Sequence, residues 1–390
     1  MPDMRLKFIH GLGDVAHAVL WLQLWKQRGY DITVQIEENK RKLWEVGGFN
    51  LVADGELPHH GYPYNGSFNR LDLPDWECNK AAFGMMDGTL PNIGIQSELW
   101  DDLCRVRLHV EDFDRDALDE ARAFLDGMPK PIICIHGRGT NWQERKSLTP
   151  DVQFNLILRL LEETGGSVIS LDWDGREPIV GHERCKGIRP SWGMIAFDRL
   201  AALYSMADLM IGIDSGPFHC ASFTKVPALG VFREIHPVAC CIPNPNAAYM
   251  VSHNHNEQWD TRADVWRFIK YEGTEPTADG IAEAALSVLS GVYRLDFCDD
   301  HQVAKASGRY TYRRIGYDER EMHLAMAGTI STGSAGCERR WSLRQLDGVP
   351  TITISGEGNR PTCRLVSDDN GTWRGRWIHS EQMPVELVPI

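Results

Sequence analysis

Between residues 129 and 292 the chain alternates short, almost wholly apolar runs with amphipathic stretches, and few folds tolerate that alternation. The runs Ile132 to Ile135, Ser167 to Leu171, Leu209 to Ile213 and Val226 to Phe232 are too short for buried helices. Near-continuous apolarity rather than alternation marks strands covered on both faces. Thr149 is a good N-cap with Pro150 at the first helical position. Phe154, Ile157, Leu160 and Leu161 then mark an inward helical face, and Gly165-Gly166 closes it. Leu200 to Met206 and Ala278 to Leu289 read as further helices. Strands and helices in this order predict a parallel sheet covered on both faces.

The N-terminus repeats the theme. Leu6 to Ile9 reads as a strand, Gly11, Gly13 and Asp14 as a turn, Val15 to Gln27 as a helix ended by Gly29, and Ile32 to Ile36 as a second strand. A β-α-β unit of this kind crosses over right-handedly. Leu57 to Trp100 has no clear period and is rich in Gly, Pro, Asn, His and aromatics, the texture of a functional loop region. Ala117 to Leu125 is helical again, and residues 127–131 resemble a hinge.

After about Lys305 the texture becomes that of an antiparallel β module. Val349 to Ser355 alternates, Cys363 to Val366 runs into the turn Asp368-Asp369-Asn370-Gly371, and Trp373 to Ile378 and Val385 to Val388 follow. A chain of 390 residues exceeds the ~250–300 at which single cores stop growing. The expected organisation is an α/β chain of two Rossmann-like lobes, 1–128 and 129–292, with a small C-terminal antiparallel β module over 305–390.

Charge narrows the partners. With 41 basic and 54 acidic side chains the net charge is −13, which repels a phosphate backbone, so no nucleic acid partner is expected. The ten cysteines form no Cys-x-x-Cys pair and no disulfide framework, so they read as reduced thiols, Cys240-Cys241 included. No secretory leader is visible at the N-terminus and no run reaches the ~20 apolar residues of a membrane span. A cytoplasmic protein is expected, with any membrane contact peripheral.

The sharpest chemical segment is Ile211 to Ala221: a buried strand, then Asp214-Ser215-Gly216-Pro217-Phe218-His219. In open α/β sheets ligands sit outside the carboxyl ends of strands. Free N–H groups of Ser215 and Gly216 at a helix N-terminus would suit a diphosphate. A plain strand-to-helix turn capped by Asp214 is the other reading that spacing allows. Gly11-Leu12-Gly13-Asp14 makes a weaker version of the case, because Ala16 stands where a dinucleotide fingerprint has its third glycine. There Asp14 is either a general base in a cleft or a helix-capping carboxylate.

Gly13-Asp14-Val15-Ala16-His17, the stretch Ile135-His136-Gly137 through Lys146, and Asp214 to His219 together resemble the three signatures of the ADP-heptose:lipopolysaccharide heptosyltransferase family, glycosyltransferase family 9, in order and at family-like spacing over roughly residues 5–290. The resemblance implies a GT-B architecture, with the acceptor in the first lobe and the donor in the second. It implies inverting, metal-independent transfer of a sugar, a heptose in the named family, from a nucleotide-diphosphate donor to a hydroxyl on a glycan, lipid-linked or protein acceptor, with no cofactor. Asp14 then serves as base, Lys146 as the phosphate cation, and Asp214, Ser215, Gly216 and His219 as the diphosphate loop. Gly13 and His17 become acceptor contacts. Two alternatives stay open: an epimerase- or hydrolase-like enzyme acting on a sugar nucleotide, and a non-catalytic carbohydrate-binding protein on the same fold.

Other candidates surround this set. Arg138 either joins the phosphate site or pairs with a surface carboxylate. Asp172, Asp174 and Glu177 follow the second strand of the donor lobe, where the family holds its nucleoside, and Asp174 is the candidate contact. Tyr62 and Tyr64, with His59, His60 and Trp76, are candidate acceptor contacts, since aromatic faces with polar tips suit sugars. His253-Asn254-His255 near Glu257 has metal-ligand types and reads as a solvated loop. Trp373 and Trp377 share one strand face, read as core, with a carbohydrate-binding face as the alternative.

Overall fold

A computed structural model describes residues 3–7, 12–27, 29–52, 103–104, 106, 114–139, 143–172, 175–192, 197–237, 241–252, 266–294, 296–298, 300–325, 328–346, 348–356, 361–368, 370–378 and 383–390. Contacts divide the chain into two units. One holds the described residues up to Arg294, and the other those from Asp296 onward.

The first unit opens with β1 (Asp3–Lys7), α1 (Leu12–Gln27), β2 (Asp31–Gln35), α2 (Arg41–Val46) and β3 (Asn50–Val52), whose strands form a parallel sheet in the order β1-β2-β3. The strand expected over 6–9 lies earlier, at Asp3–Lys7, and residues 8–10 lie outside the described residues. Helix α1 starts at Leu12, so Gly13 and Asp14 belong to its first turn rather than to a turn before it. Val15, Ala16, Val19, Leu20 and Leu22 of α1 are buried, and α1 is apolar on more than one side because it packs on a second helix as well as on β2.

The next segment is α3 (Arg115–Leu125), β4 (Ile132–His136), α4 (Gln143–Lys146), α5 (Pro150–Thr164), β5 (Ser167–Ser170), β6 (Cys185–Gly187), α6 (Arg189–Trp192), α7 (Phe197–Met206), β7 (Leu209–Ile213), α8 (Gly216–Thr224), β8 (Ala228–Phe232), β9 (Ala247–Ser252), β10 (Phe268–Tyr271) and α9 (Ala278–Leu289). Its strands form one seven-stranded sheet, parallel throughout, ordered β10-β9-β8-β7-β4-β5-β6. Ile133, Ile135, Val168, Leu209, Ile211, Leu229 and Val231 supply its core with α5 and α9 packed on it. Thr149 caps α5 by accepting from the Val152 N–H, and Gly165 ends it at φ 64°. Phe154 departs from expectation. It is 43% exposed, whereas Leu156 is fully buried. The buried face runs through Gln153, Leu156, Ile157, Leu160 and Leu161, a stripe that position 154 flanks.

The order of these strands matters for function. From β4 the chain moves outward one way, to β5 and β6. From β7 it moves the other way, to β8, β9 and β10. Strands β4 and β7 lie side by side, with Ile135 opposite Ile211 and His136 opposite Gly212. Their carboxyl ends form the topological switch point, where such sheets open a crevice.

The second unit has β11 (Asp296–Phe297), α10 (Asp300–Ala306), β12 (Gly308–Arg314), β13 (Asp318–Leu324), β14 (Ile330–Thr332), β15 (Arg340–Leu346), β16 (Val349–Ser355), β17 (Pro361–Ser367), β18 (Trp373–Trp377) and β19 (Pro384–Pro389). They make an antiparallel sheet ordered β11-β15-β16-β17-β18-β19-β12-β13-β14. The sheet curls until its far end meets β15: Thr329 bridges Arg340, and the Trp341 N–H donates to the Gly328 carbonyl at 2.9 Å. That return covers strand edges that would otherwise template aggregation. Tyr312, Met322, Leu324, Trp341, Ile352, Leu365, Trp373 and Leu387 fill the inner face, and Trp377 packs against them. The shared face of Trp373 and Trp377 is therefore core. Inside the curl, the buried Glu338 accepts from Tyr312 Oη at 2.6 Å and pairs with Arg320, which satisfies a carboxylate that would be costly alone.

Candidate active site

Asp214 follows β7 directly, and Lys146 closes the short helix after β4, so the two strands of the switch point each deliver one charged group. The two side chains form an ion pair, with the lysine 17% and the aspartate 10% exposed. On its other oxygen Asp214 receives His219 Nε2 at 3.0 Å. His219 lies one turn into α8, which Ser215 precedes as N-cap. The Ser215 side chain does not cap the helix; its Oγ–H donates to the Ile213 carbonyl at 3.2 Å instead. Pro217 has no N–H, and the first turn of α8 contains no acidic residue, so the helix presents its positive end without internal neutralisation.

Two cations thus share one carboxylate. Burial opposes ionisation of Asp214, but the His219 hydrogen bond and the charges of His219 and Lys146 outweigh it and hold the carboxyl well below its ordinary range. Burial also opposes the His219 imidazolium. The Cys241 sulfur, 3.8 Å from Nδ1, and the Asp214 carboxylate outweigh that and push the ring up to about 10. Lys146 and His219 against Asp214 leave one net positive charge beside a helix N-terminus, a setting made for an anion.

The signs give a pH dependence. The raised His219 contributes stability that is complete below the unfolded value of ~6.5 and is lost as pH rises toward about 10. The depressed Asp214 contributes stability present above its unfolded value of ~4 and lost as pH falls below it. Urea midpoints are expected to decline between about pH 6.5 and 10, and His219→Gln to flatten that decline.

Helix α1 meets α8 at this spot. A Cβ added to Gly13 would lie 2.7 Å from His219 Cδ2 and 3.3 Å from Gly216 Cα, and one added to Gly216 would lie 3.2 Å from the Gly13 nitrogen. Glycine at both positions lets the two helix starts touch backbone to backbone, so two positive helix ends converge. Gly13→Ala is expected to cost about 1–3 kcal/mol by overpacking, measured by urea unfolding, because α8 or the His219 ring must move.

His17 sits one turn further along α1, its ring centroid 4.3 Å from that of His219 and tilted by 65°. Burial and the His219 cation drive His17 well below its ordinary value, against a smaller opposing pull from Asp214. It is neutral beside a charged neighbour, and its buried Nε2 has no hydrogen-bond partner among the described residues.

Other expected residues fall as follows. Asp14 is in the first turn of α1, so it belongs to the helix start that touches α8; its side chain lies outside the described residues. Tyr62, Tyr64, His59, His60, Trp76, Asp174, Cys240, His253, Asn254, His255 and Glu257 lie outside them too. Among the described residues no cluster could hold a metal ion, and no helix is long and apolar enough to cross a membrane. The Arg138 guanidinium donates to the Arg176 carbonyl at 3.3 Å. Asp172 accepts from the Arg189 N–H at 3.1 Å and holds the loop after β5.

Glu177 does what spacing could not reveal. Its buried carboxylate accepts the N–H groups of Gly137 and Arg138, at 3.1 and 3.0 Å, and lies 2.8 Å from His136 Nδ1. It fixes the carboxyl end of β4, from which the chain runs to Lys146. Cys241, read from the sequence only as a reduced thiol, has its sulfur 3.8 Å from His219 Nδ1. Twenty-odd residues separate the pair, and no motif links them.

Comparison with known proteins gives these geometries a setting. Residues 112–266 match the family model for glycosyltransferase family 9 (heptosyltransferase). A glycosyl transferase family 9 structure from Veillonella parvula is similar at 13% identity with a TM-score of 0.51, covering 74% of this chain and 98% of that one. An ADP-heptose lps heptosyltransferase II from E. coli matches at 12% identity with a TM-score of 0.46, covering 75% of this chain and 99% of that one. A putative UDP-N-acetylglucosamine 2-epimerase from Listeria monocytogenes matches at 10% identity with a TM-score of 0.37, covering 75% and 89%. No curated protein matches the chain. The Veillonella likeness is one of fold. The family match takes in Lys146 and Asp214 to His219 but stops short of Gly13 to His17.

Proposed function

We propose that this chain, whose residues 112–266 match the family model for glycosyltransferase family 9, is a glycosyltransferase that catalyses inverting, metal-independent transfer of a sugar from a nucleotide-diphosphate donor to a hydroxyl group. The observation that carries this is the convergence of Lys146 and His219 on Asp214 beside the N-terminus of α8, at the switch point of a parallel sheet. An anion entering there meets oriented N–H groups, a helix dipole and one net positive charge.

The transfer is a single displacement. The acceptor oxygen attacks the anomeric carbon as the bond from that carbon to the β-phosphate oxygen breaks. Asp14 takes the acceptor's proton, and the nucleoside diphosphate leaves with the bonding pair. Charge grows on the departing phosphate oxygen, where Lys146, His219 and the amides of Ser215 and Gly216 stabilise it. In this reading those donors supply the positive charge that the departing phosphate needs, and no metal or cofactor takes part. Gly13, His17, Tyr62 and Tyr64 belong to the acceptor side, and Arg138 and Asp174 to the donor side. The family description favours a heptose as the sugar. The acceptor is a glycan, lipid-linked or protein hydroxyl, and the reaction takes place in the cytoplasm, with membrane contact limited to the periphery.

Thermal shifts against ADP, GDP, UDP and dTDP test the reading. The cognate diphosphate should stabilise the protein by about 2.7 kcal/mol at a hundredfold excess over Kd. Lys146→Ala should weaken that diphosphate by about tenfold or more, the scale of one charge-assisted contact. If none of the four binds, or if products contain hydrolysed donor and no glycosylated acceptor, the proposal fails.

A further inference from the structure

Cys241 has no part in the displacement, yet it is 2% exposed and its sulfur lies 3.8 Å from the one His219 nitrogen that Asp214 does not take. From this geometry we infer that Cys241 is a positioning residue of the diphosphate site, holding the His219 ring from the side opposite Asp214. The inference rests on the proposed function for its consequence, and on the contact alone for its premise.

An imidazole held at one nitrogen can still swing about that bond. Held at both, it is fixed in plane and in proton placement: Nε2–H donates to Asp214, and Nδ1–H donates to the sulfur. A carboxylate on one nitrogen and a polarisable sulfur on the other both favour the doubly protonated ring. Cys241 comes from the segment between β8 and β9, so a third switch-point neighbour joins β4 and β7 in building the site. Its backbone is fixed as well, the Cys241 N–H donating to the Pro237 carbonyl at 2.8 Å. The groups that face His219 among the described residues are Asp214, with Lys146 behind it, Cys241, and the neutral His17 on α1. Of these, only Asp214 and Cys241 favour the imidazolium.

The consequence is a cation that persists where an ordinary histidine would be neutral. Without the sulfur, the ring loses its second anchor and its charge at alkaline pH, and the anion site weakens there first. A merely structural cysteine would weaken the site equally at every pH.

The test uses the full chain, inorganic pyrophosphate as probe, and the variants Cys241→Ala and Cys241→Ser. Histidine-selective NMR follows the His219 titration, assigned by loss of its signal in His219→Gln. Calorimetry reads pyrophosphate affinity at about pH 6.5 and about pH 9. Comparison with the wild-type chain at the same pH cancels the ligand's own ionisation. Cys241→Ala should lower the His219 midpoint by about one unit or more, and cut pyrophosphate affinity up to about tenfold at the higher pH with little change at the lower. Cys241→Ser, whose shorter bond reaches less far, should fall between. An unmoved His219 midpoint, or an affinity loss equal at both pH values, overturns the inference. A wild-type chain that ignores pyrophosphate refutes the diphosphate reading instead, and the His219 titration then decides the contact by itself.

Discussion

Asp14→Asn is expected to slow sugar transfer by about 10²–10⁴-fold, the usual contribution of a positioned general base. Asparagine keeps the size and the hydrogen-bonding reach of the carboxylate and lacks only the ability to take a proton. Position 14 is in the first turn of α1, next to Gly13, which touches Gly216 and His219. A base there lies beside the helix start that would hold the leaving diphosphate, with the anomeric carbon between the attacking oxygen and the departing one. Donor affinity should stay within about twofold, because the lost function exists only in the transition state. The check is single-turnover release of nucleoside diphosphate alongside its equilibrium binding. A variant that binds donor and still transfers at near wild-type rate would remove Asp14 from the mechanism.

The second large effect belongs to Asp214. This carboxylate separates two cations, and Asp214→Ala leaves Lys146 and His219 facing each other in a site where water is scarce. Removing one partner from a buried ionic cluster costs about 3–5 kcal/mol. The lower end of that range suits a side chain 10% exposed, since His219 can shed its proton and Lys146 can turn outward. Urea unfolding should show the loss at neutral pH, where all three groups are charged. Asp214→Asn should cost less, because its amide oxygen still accepts from one of the two. Diphosphate affinity should fall in both variants despite the removal of a negative charge. The reason is geometric: Asp214 positions the cations, and without it neither points at α8. A gain in affinity on Asp214→Ala would mean that the carboxylate only repels the ligand.

The seven-stranded parallel sheet and its helices were legible because each device there is local. A threonine and a proline announce α5 and a glycine at φ 64° stops it. Leu209 to Ile213 can be only a buried strand, and it ends where the residues say it does, one position before Asp214. The pairing of Lys146 with Asp214 was not local. It depends on β4 and β7 being neighbours, and strand order is set by packing rather than by either strand's composition. Cys241 illustrates the same limit, since its role exists only once the segment after β8 folds back on α8. Phe154 failed for another reason: apolar residues flank a buried stripe as well as fill it, and its exposure shows the stripe's edge.

The C-terminal unit was half visible. Strands β16 to β19 alternate cleanly or end in the turn at Asp368, whose carboxylate accepts from the N–H groups of Asn370 and Thr372. Strands β12 to β15 were missed, and β13, Asp318–Leu324, shows why. Its outward residues are charged and satisfied across the strand pair, Glu321 by Arg309 and Glu319 by Arg313, so the segment looks like solvated loop until its partner lies beside it. Only Met322 and Leu324 face the core.

One measurement bears most directly on the central claim, that the start of α8 with Lys146 holds a diphosphate. Amide NMR of the labelled chain during titration with ADP, GDP, UDP and dTDP reads the Ser215 and Gly216 N–H groups themselves. The predicted result is that one nucleoside diphosphate shifts both resonances along a single saturable curve, and that Lys146→Ala displaces the curve to higher ligand concentration. A diphosphate that saturates the protein while those two amides stay where they were would contradict it.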